Sequence, residues 1–455
     1  MPDCPGTTAA LLPTLVEYGQ LELAHRWCDR LVARQLADGS FPRSGGAGGS
    51  LFNTAQAVAA LAELIAAGIV IDEEPARRAA DYLASRVATN AEISPVRTGG
   101  VPQTVQAVTE LGCLAALSTA ARRFLVPDWQ QAVERAAGRL RRLVEWSGWR
   151  DATSMLPYAA NAWLDLGDPE SARDMLVRAS AIQRRDGAVP TNTGGSWGNN
   201  AALAHLALAW YRLGEHERAD RALVFLDTHQ SPLGDWLGYW GRQGTIRESA
   251  WVVKYYLDAV RLQVTSSFAG NNRALPRAID RNDGRWRAVE HWMAALGHAP
   301  KVADVGCGSG RFLRELATCF PSAHLVGIDP AASLLAYLPQ GVEPRRGGLL
   351  RIPAADHEFD GVLAVESLEH SLLPQQAVKE LCRVVRPGGR ICIIDKHAAR
   401  QPLSLCEPWE RWFWPETIAD WLAPYCRDIS SRPVAHGPDA NSDRLFLGWE
   451  ATRRG

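Results

Sequence analysis

The sequence carries no excess of charge of either sign. Lys plus Arg number 49 and Asp plus Glu 50, a net charge of −1 over 455 residues. A nucleic-acid footprint needs a basic surplus, so this balance predicts no nucleic-acid partner. Long apolar runs are missing as well: none approaches the ~18–20 residues of a membrane span. The opening MPDCPGTTAALLPTLVEYGQ has neither the basic start nor the unbroken apolar stretch of a signal peptide. Cysteines at zinc or redox spacing are absent too. Nine of them stand at 4, 28, 113, 307, 319, 382, 392, 406 and 426, an odd number with no CxxC. Reduced thiols in a cytoplasmic protein are the simplest expectation. What remains is an ordinary globular composition, 47% hydrophobic and 22% charged, at a length that calls for more than one core. Tryptophan is the surplus, 17 in all and ten of them before residue 270.

The character of the chain changes near residues 264–284. Val264-Thr-Ser-Ser-Phe-Ala-Gly-Asn-Asn-Arg-Ala-Leu-Pro loses hydrophobic periodicity and gathers small polar residues, which predicts a linker over 265–284. Before it, Ala/Leu/Arg/Glu-rich segments alternate with Gly-rich turns, the pattern of paired helices. After it, short Val/Ile/Leu runs alternate with helical stretches, the pattern of a βα sheet. Domains at 1–264 and 285–455 follow.

The first half repeats itself. Gln35-Leu-Ala-Asp38-Gly39-Ser-Phe-Pro42 matches Gln183-Arg-Arg-Asp186-Gly187-Ala-Val-Pro190 at four identical positions, and Gln230-Ser-Pro-Leu-Gly234-Asp235-Trp236 is a weaker copy. Gln35 and Gln183 lie 148 positions apart, about three times 49, and Gln230 follows 47 later. A period near 48 puts degenerate copies near Arg86 and Leu143. Asp-Gly makes a tight turn, and the Gln can reach backbone groups at a helix end. No such hairpin buries its apolar face alone, so several must stack as a solenoid or close into a ring. This turn resembles the QW-type repeats of the α/α-toroid superfamily, which includes terpene cyclases and protein prenyltransferases. The resemblance implies an all-α toroid of helical hairpins over about 15–262. Neither a DxDD nor a DDxxD string occurs, and no prenyltransferase-like Asp/Cys/His zinc site is identifiable. Trp146, Trp149, Trp197, Trp236, Tyr239, Trp240 and Trp251 sit in or beside the turns. They either line a funnel for a sugar face or an isoprenoid chain, or pack between hairpins. Glu248 and Lys254 form a candidate polar pair at its mouth or a charge couple near a helix end.

The second half carries readable chemistry. Lys301-Val-Ala-Asp304-Val-Gly306-Cys307-Gly308-Ser-Gly310-Arg311 is an apolar strand entering a Gly-rich turn and then a helix. Glycines there let a ligand approach the backbone, and the helix start favours an anionic group such as a carboxylate. Asp304 offers an acceptor to an ammonium. A second strand ends in Asp329, placed to bind both hydroxyls of a ribose. A nucleotide cofactor is implied, and the GxGxG spacing by itself leaves its identity open. Glu358-Phe-Asp360 introduces a fourth strand ending at Glu366, and Pro387-Gly388-Gly389 a fifth ending at Asp395. With these four motifs in order, the region resembles class I S-adenosylmethionine (SAM)-dependent methyltransferases. The resemblance covers about 285–455 and implies an α/β, Rossmann-like seven-stranded sheet.

Carried over, it implies that Gly306, Cys307, Gly308 and Gly310 frame the methionine part of SAM, with Asp304 near its amino group. Asp329 would hold the ribose, Leu349 and Leu350 the adenine, and Glu366 would face cofactor or substrate. Gly348 stands where the family usually has an acid. A hydroxyl acceptor also needs a base. His397, in the polar run Asp395-Lys396-His397, is the first candidate and His370 the second. Glu366, Glu369 and His370 resemble the ExxEH string with which some O-methyltransferases bind a divalent metal, so Mg²⁺ is a further expectation. Glu407-Pro-Trp409-Glu410-Arg411-Trp412-Phe413-Trp414 reads as a helix over the substrate mouth or as an amphipathic surface helix. These readings converge on a two-domain bacterial enzyme of carbohydrate or secondary metabolism. It would O-methylate a small-molecule or carbohydrate acceptor, with the toroid binding that acceptor. Two alternatives are a second catalytic activity in the toroid, and a binding module whose sheet retains only cofactor affinity.

Overall fold

The computed structural model describes residues 4–43, 45, 48–88, 103–143, 155–191, 194–232, 234–241, 250–270, 276–401, 407–436 and 445–455, with the backbone alone at 103–106, 142–143 and 270. The chain divides into two compact units, Met1–Gln263 and Val264–Gly455.

In the first unit the described helices are α1 (Pro5–Glu17), α2 (Leu21–Val32), α3 (Leu51–Ala66), α4 (Glu74–Ala88), α5 (Gln103–Phe124), α6 (Pro127–Leu143), α7 (Leu156–Asp165), α8 (Pro169–Ile182), α9 (Asn200–Leu213), α10 (His216–Thr228) and α11 (Ala250–Gly270). Odd-numbered helices pack on one another in chain order from α1 to α9, and each even helix from α2 to α10 backs onto the odd one before it. Helix α11 touches both ends of that series. Its Tyr255 stacks on His205 of α9 with centroids 3.6 Å apart. On the α1 side, Thr14 Oγ1 donates to Asp258 at 2.8 Å and the Tyr18 hydroxyl to Leu257 O at 2.7 Å. Alanine makes the seams. Ala57, Ala79, Ala159, Ala204 and Ala207 are wholly buried, which allows close helix approach without loss of helix propensity.

The repeated turn is wired the same way at its two full copies, and in part at the third. Gln35 Nε2 donates to Gly39 O at 2.9 Å and to Pro75 O of α4 at 2.8 Å. Gln183 Nε2 donates to Gly187 O at 3.3 Å and to Arg218 O of α10 at 2.9 Å. Gln230 closes its own turn onto Gly234 O at 2.8 Å. One amide thus ties a turn to the next outer helix. Gly187 has φ 96°, and a Cβ there would stand 1.9 Å from Arg221 O, so no other residue fits. Turns following the degenerate copies near Arg86 and Leu143 lie largely outside the described residues.

One expectation about this half needs correction, and one of two open readings gains support. Residues 264–270 continue α11 rather than opening a linker. Their small polar side chains do not prevent helix formation once the preceding turns are in place. The tryptophans mostly pack: Trp163 and Trp210, with Trp286, Trp292 and Trp449 of the second unit, are wholly enclosed. Trp236 is buried and donates to Leu226 O at 2.8 Å, and Trp240 packs on Phe225. Trp146, Trp149 and Glu248 lie outside the described residues, and Lys254 pairs with Asp258 at 2.6 Å.

The second unit contains α12 (Gly284–Ala294), β1 (Lys301–Val305), α13 (Arg311–Cys319), β2 (His324–Asp329), α14 (Ala332–Leu335), β3 (Glu343–Arg346), β4 (Phe359–Val365), α15 (Pro374–Val384), β5 (Val385–Lys396), α16 (Pro415–Leu422), β6 (Cys426–Val434) and β7 (Phe446–Arg453). They form one seven-stranded sheet in the order β6-β7-β5-β4-β1-β2-β3. Neighbours among β1–β5 run parallel, and β7 is antiparallel to both β5 and β6. Burial on both faces explains the apolar runs in β1, β4 and β5. This is the Rossmann-like sheet expected. The chain leaves β1 toward β2 and β3, then returns to β4 on the other side. A crevice therefore opens beyond the ends of β1 and β4, where open α/β sheets bind ligands. Pro387-Gly388-Gly389 lies within β5 rather than before it, where the pairing with β4 slips.

Candidate active site

The glycine turn at the end of β1 is shaped by its neighbours. Gly306 has φ 80°, and a Cβ there would lie 2.4 Å from that of Ser367. Ser367 in turn donates to Val305 O at 3.0 Å. Gly308, at φ 55°, faces open space, with nothing within 4 Å of an added Cβ. Gly310 caps α13 in the left-handed conformation. The turn therefore offers backbone and room to a ligand at Gly308, while Gly306 is required for packing. Cys307 is buried, its sulfur 3.6 Å from Gly308 O, so its side chain packs beneath the turn and only its backbone can face a ligand.

Two carboxylates flank this opening. Asp329 accepts Gly308 N–H at 2.9 Å and Ala331 N–H at 2.8 Å, one on each oxygen. That fixes its plane and leaves lone pairs for a vicinal diol. Asp304 is buried, and burial pushes its carboxyl up to about 7 against the pull of Arg311. Burial also raises Asp329 above its ordinary range. Such a pair is costly without a cationic partner, and a ligand ammonium supplies one. Leu349 and Leu350 are half-buried against the core after β3. Gly348 has open space beside it. The residues present fit a SAM-sized nucleoside with an amino-acid tail.

Glu366 is placed differently from the expectation. Its backbone has φ 51°, and its carboxylate is taken by two guanidinium groups: Arg285 at 2.5 Å, itself bonded to Asp283, and Arg311. Arg311 is the residue that breaks the glycine spacing. These arginines were missed in the sequence. Arg311 stood at the motif's edge, whereas nothing near Arg285 marks it. Both are candidates for a cofactor carboxylate.

The Mg²⁺ expectation is corrected by the same contacts. Glu366 is neutralised by the arginines, and Glu369 is held by His370 Nε2 at 3.1 Å and Lys396 Nζ at 3.0 Å. The three candidate ligands do not gather, and among the described residues no cluster of metal-ligating side chains occurs.

A polar nest forms instead beyond β4 and β5. Asp395 and Glu369 are both buried, and Asp395 accepts the Glu369 backbone N–H at 3.1 Å. Burial, then the neighbouring Glu369 charge, pushes Asp395 far up. Glu369 is held low by hydrogen bonds from His370 and Asp395 and by the Lys396 charge, in spite of burial. The two carboxyls are thus driven apart, Asp395 toward the neutral acid and Glu369 toward the anion. Lys396 also reaches Glu410 at 2.5 Å. With Nε2 directed at Glu369, His370 keeps Nδ1 buried and without a hydrogen-bond partner. His397 lies edge-on to Trp414, and among the described residues no carboxylate is bonded to it. The Glu407–Trp414 stretch is not helical. It lies beside the end of β5, with Phe413 N–H donating to Lys396 O at 3.0 Å, and α16 begins only at Pro415.

A family model described as a methyltransferase domain matches residues 303–393, the span from β1 to β5. The demethylmenaquinone methyltransferase of Roseiflexus sp. (strain RS-1) is 27% identical over 197 residues, covering 42% of this chain and 79% of that protein. The C-terminal unit is a class I SAM-dependent methyltransferase. A Homo sapiens protein named "Probable tRNA methyltransferase 9B" is 26% identical over 147 residues, covering 30% of this chain and 31% of its own. A SAM-dependent methyltransferase from Aquifex aeolicus matches at 20% identity with a TM-score of 0.30, covering 36% of this chain and 88% of that one. With a relative named for tRNA, the methyltransferase's balanced charge does not exclude a nucleic-acid substrate. Among the described residues no helix is long and apolar enough to cross a membrane.

Proposed function

We propose that this methyltransferase transfers a methyl group to a hydroxyl of a sugar-like or natural-product acceptor, with His370 as the base. The observation that carries the reading is the Glu369–His370 pair. A carboxylate on Nε2 fixes the tautomer and orientation of the ring and stabilises the imidazolium, leaving the Nδ1 lone pair to take a proton. When bound, SAM supplies an electrophilic methyl group and leaves as its demethylated sulfide. Asp304 and Asp329 hold its amino and ribose ends, Arg285 or Arg311 its carboxylate, and the Leu349–Leu350 turn its adenine. His370 Nδ1 receives the proton that the acceptor hydroxyl gives up as its oxygen gains the methyl. This choice reverses the order read from sequence, which put His397 first.

The first unit fits an α/α toroid, supported by the cyclic series of helix contacts and the repeated Gln clamp, and on this reading it takes the acceptor. An odd number of cysteines with no CxxC spacing supports a reducing, cytoplasmic setting. C-methylation is the second reading, favoured by the quinone-pathway relative.

The test is steady-state kinetics with a methylated acceptor identified by mass spectrometry after incubating metabolite extracts with labelled SAM. We expect His370→Ala to lower kcat by about 10²–10⁴-fold with little change in the SAM KM, and His397→Ala to cost far less. Equal small losses for both substitutions would remove the base assignment. A new methyl found only on carbon would favour the second reading.

A further inference from the structure

Helix α3 has one face that its neighbours leave open. Phe52, Gln56, Ala59 and Glu63 stay accessible to water while every residue between them is buried. Neighbours α1, α5 and α4 cover the rest of the helix. Charges on three other helices act on Glu63: Lys254 and Asp258 of α11, Asp165 of α7 and Glu17 of α1. The open face therefore looks toward the odd-numbered helices opposite, and Glu63 is reached by water yet surrounded by protein. Enclosure brings its carboxyl up to about 7, with Lys254 opposing. Among the described residues no hydrogen bond engages the Glu63 carboxyl.

The same region holds a connected set of rings. Phe52 lies 5.8 Å from Trp251, Trp251 5.7 Å from Tyr255, and Tyr255 3.6 Å from His205 in a parallel stack. Tyr158 of α7 meets His205 edge-on at 4.6 Å. His205 is 5% exposed, and its Nδ1 has no hydrogen-bond partner. Burial keeps the ring neutral, so it has both a donor and an acceptor to offer. Lys254 stands over Tyr255 at 4.9 Å and is bonded to Asp258. Four helices supply these groups, and the steps from Phe52 through Tyr158 and His205 to Trp251 span 106, 47 and 46 positions of the chain.

We propose that Glu63, Tyr158, His205 and Trp251 form a binding site for an uncharged polyhydroxylated ring, a pyranose or cyclitol, within the helical unit. Aromatic faces accept the C–H face of such a ring, while His205 and Glu63 supply the hydrogen bonds its hydroxyls require. A wholly apolar ligand would leave those two groups unpaired in an enclosed space. Asp165, Asp258 and Glu17 are paired with Arg212, Lys254 and Arg261, which leaves Glu63 as the carboxyl an anionic ligand would meet. This site deepens the reading of the first unit as acceptor-binding and rests on it for the ligand's fate in methyl transfer.

Full-length protein without SAM is titrated with methyl glycosides of glucose, galactose and mannose and with myo-inositol, followed by saturation-transfer NMR and calorimetry. Saturable binding of at least one is expected. Trp251→Leu and Glu63→Gln, at side chains still open to water and so tolerant of change, are expected to weaken it about tenfold or more. Circular dichroism confirms that both variants stay folded. Absence of binding across the panel, or binding indifferent to both substitutions, overturns the site. If a sugar binds as expected but is never methylated when SAM is present, the site stands and the acceptor reading falls. If a sugar is methylated while both variants bind it normally, the reverse holds.

Discussion

Gly306 and Gly308 stand two positions apart in one motif and have different jobs. A Cβ at Gly306 runs into Ser367, whereas at Gly308 it enters open space. Gly306→Ala should therefore cost roughly 1–3 kcal/mol of stability in thermal melts. Gly308→Ala should keep most of the stability and lose SAM affinity, read by calorimetry. Asp304 and Asp329 make a second residue-level prediction. An acid whose folded value is raised stabilises the fold fully only below its unfolded value, ordinarily 3.8, and that contribution is lost as pH rises toward about 7. Binding runs the other way, because a ligand ammonium needs the anion. SAM affinity should rise several-fold between about pH 6 and 8, and Asp304→Asn should flatten that rise. An unchanged slope in the variant would assign the titration elsewhere.

At the scale of elements, the glycine turn, Asp329 and the order of strands were readable because each obeys a local rule. A turn with φ above zero needs glycine, and a buried parallel strand needs an apolar run. The repeated QxxDG turn was readable for the same reason, and its clamp is testable. Gln183→Ala removes two hydrogen bonds that join a turn to α10. It should lower stability by about 1–2 kcal/mol, and Gly187→Ala by more, since its Cβ would press on Arg221 O. Equal stability of Gln183→Ala and the parent would make the motif ornamental. The extent of α11 was not readable: its last turns carry Thr, Ser and Gly, and only the helix already formed behind them makes the helical state favourable. The Glu407–Trp414 stretch misled in the opposite sense. Its aromatic density suited a helix face, but Phe413 hydrogen-bonds beside β5 instead.

For the molecule as a whole, two compact units of different fold class predict separable unfolding. Calorimetry of the full chain should show two transitions. SAM should raise only one, by about 2.7 kcal/mol at a hundred times its Kd, and Asp329→Asn should abolish that rise. A single transition shifting as one would show the units to be energetically joined. By itself the sequence determined the change of class near residue 264, the order of strand and turn motifs that resembles a seven-stranded methyltransferase sheet, and the turn and acids of the candidate SAM site, because these are marked by neighbours in the chain. Tertiary structure alone decided that Glu366 is spoken for by Arg285 and Arg311, and that Glu369 is bonded to His370, whereas among the described residues His397 has no such partner. Only folding, too, gathers Glu63, Tyr158, His205 and Trp251. Apart from the adjacent Glu369 and His370, the groups so joined stand tens to hundreds of residues apart, and Coulomb forces and hydrogen bonds act through space, along paths no linear spacing records.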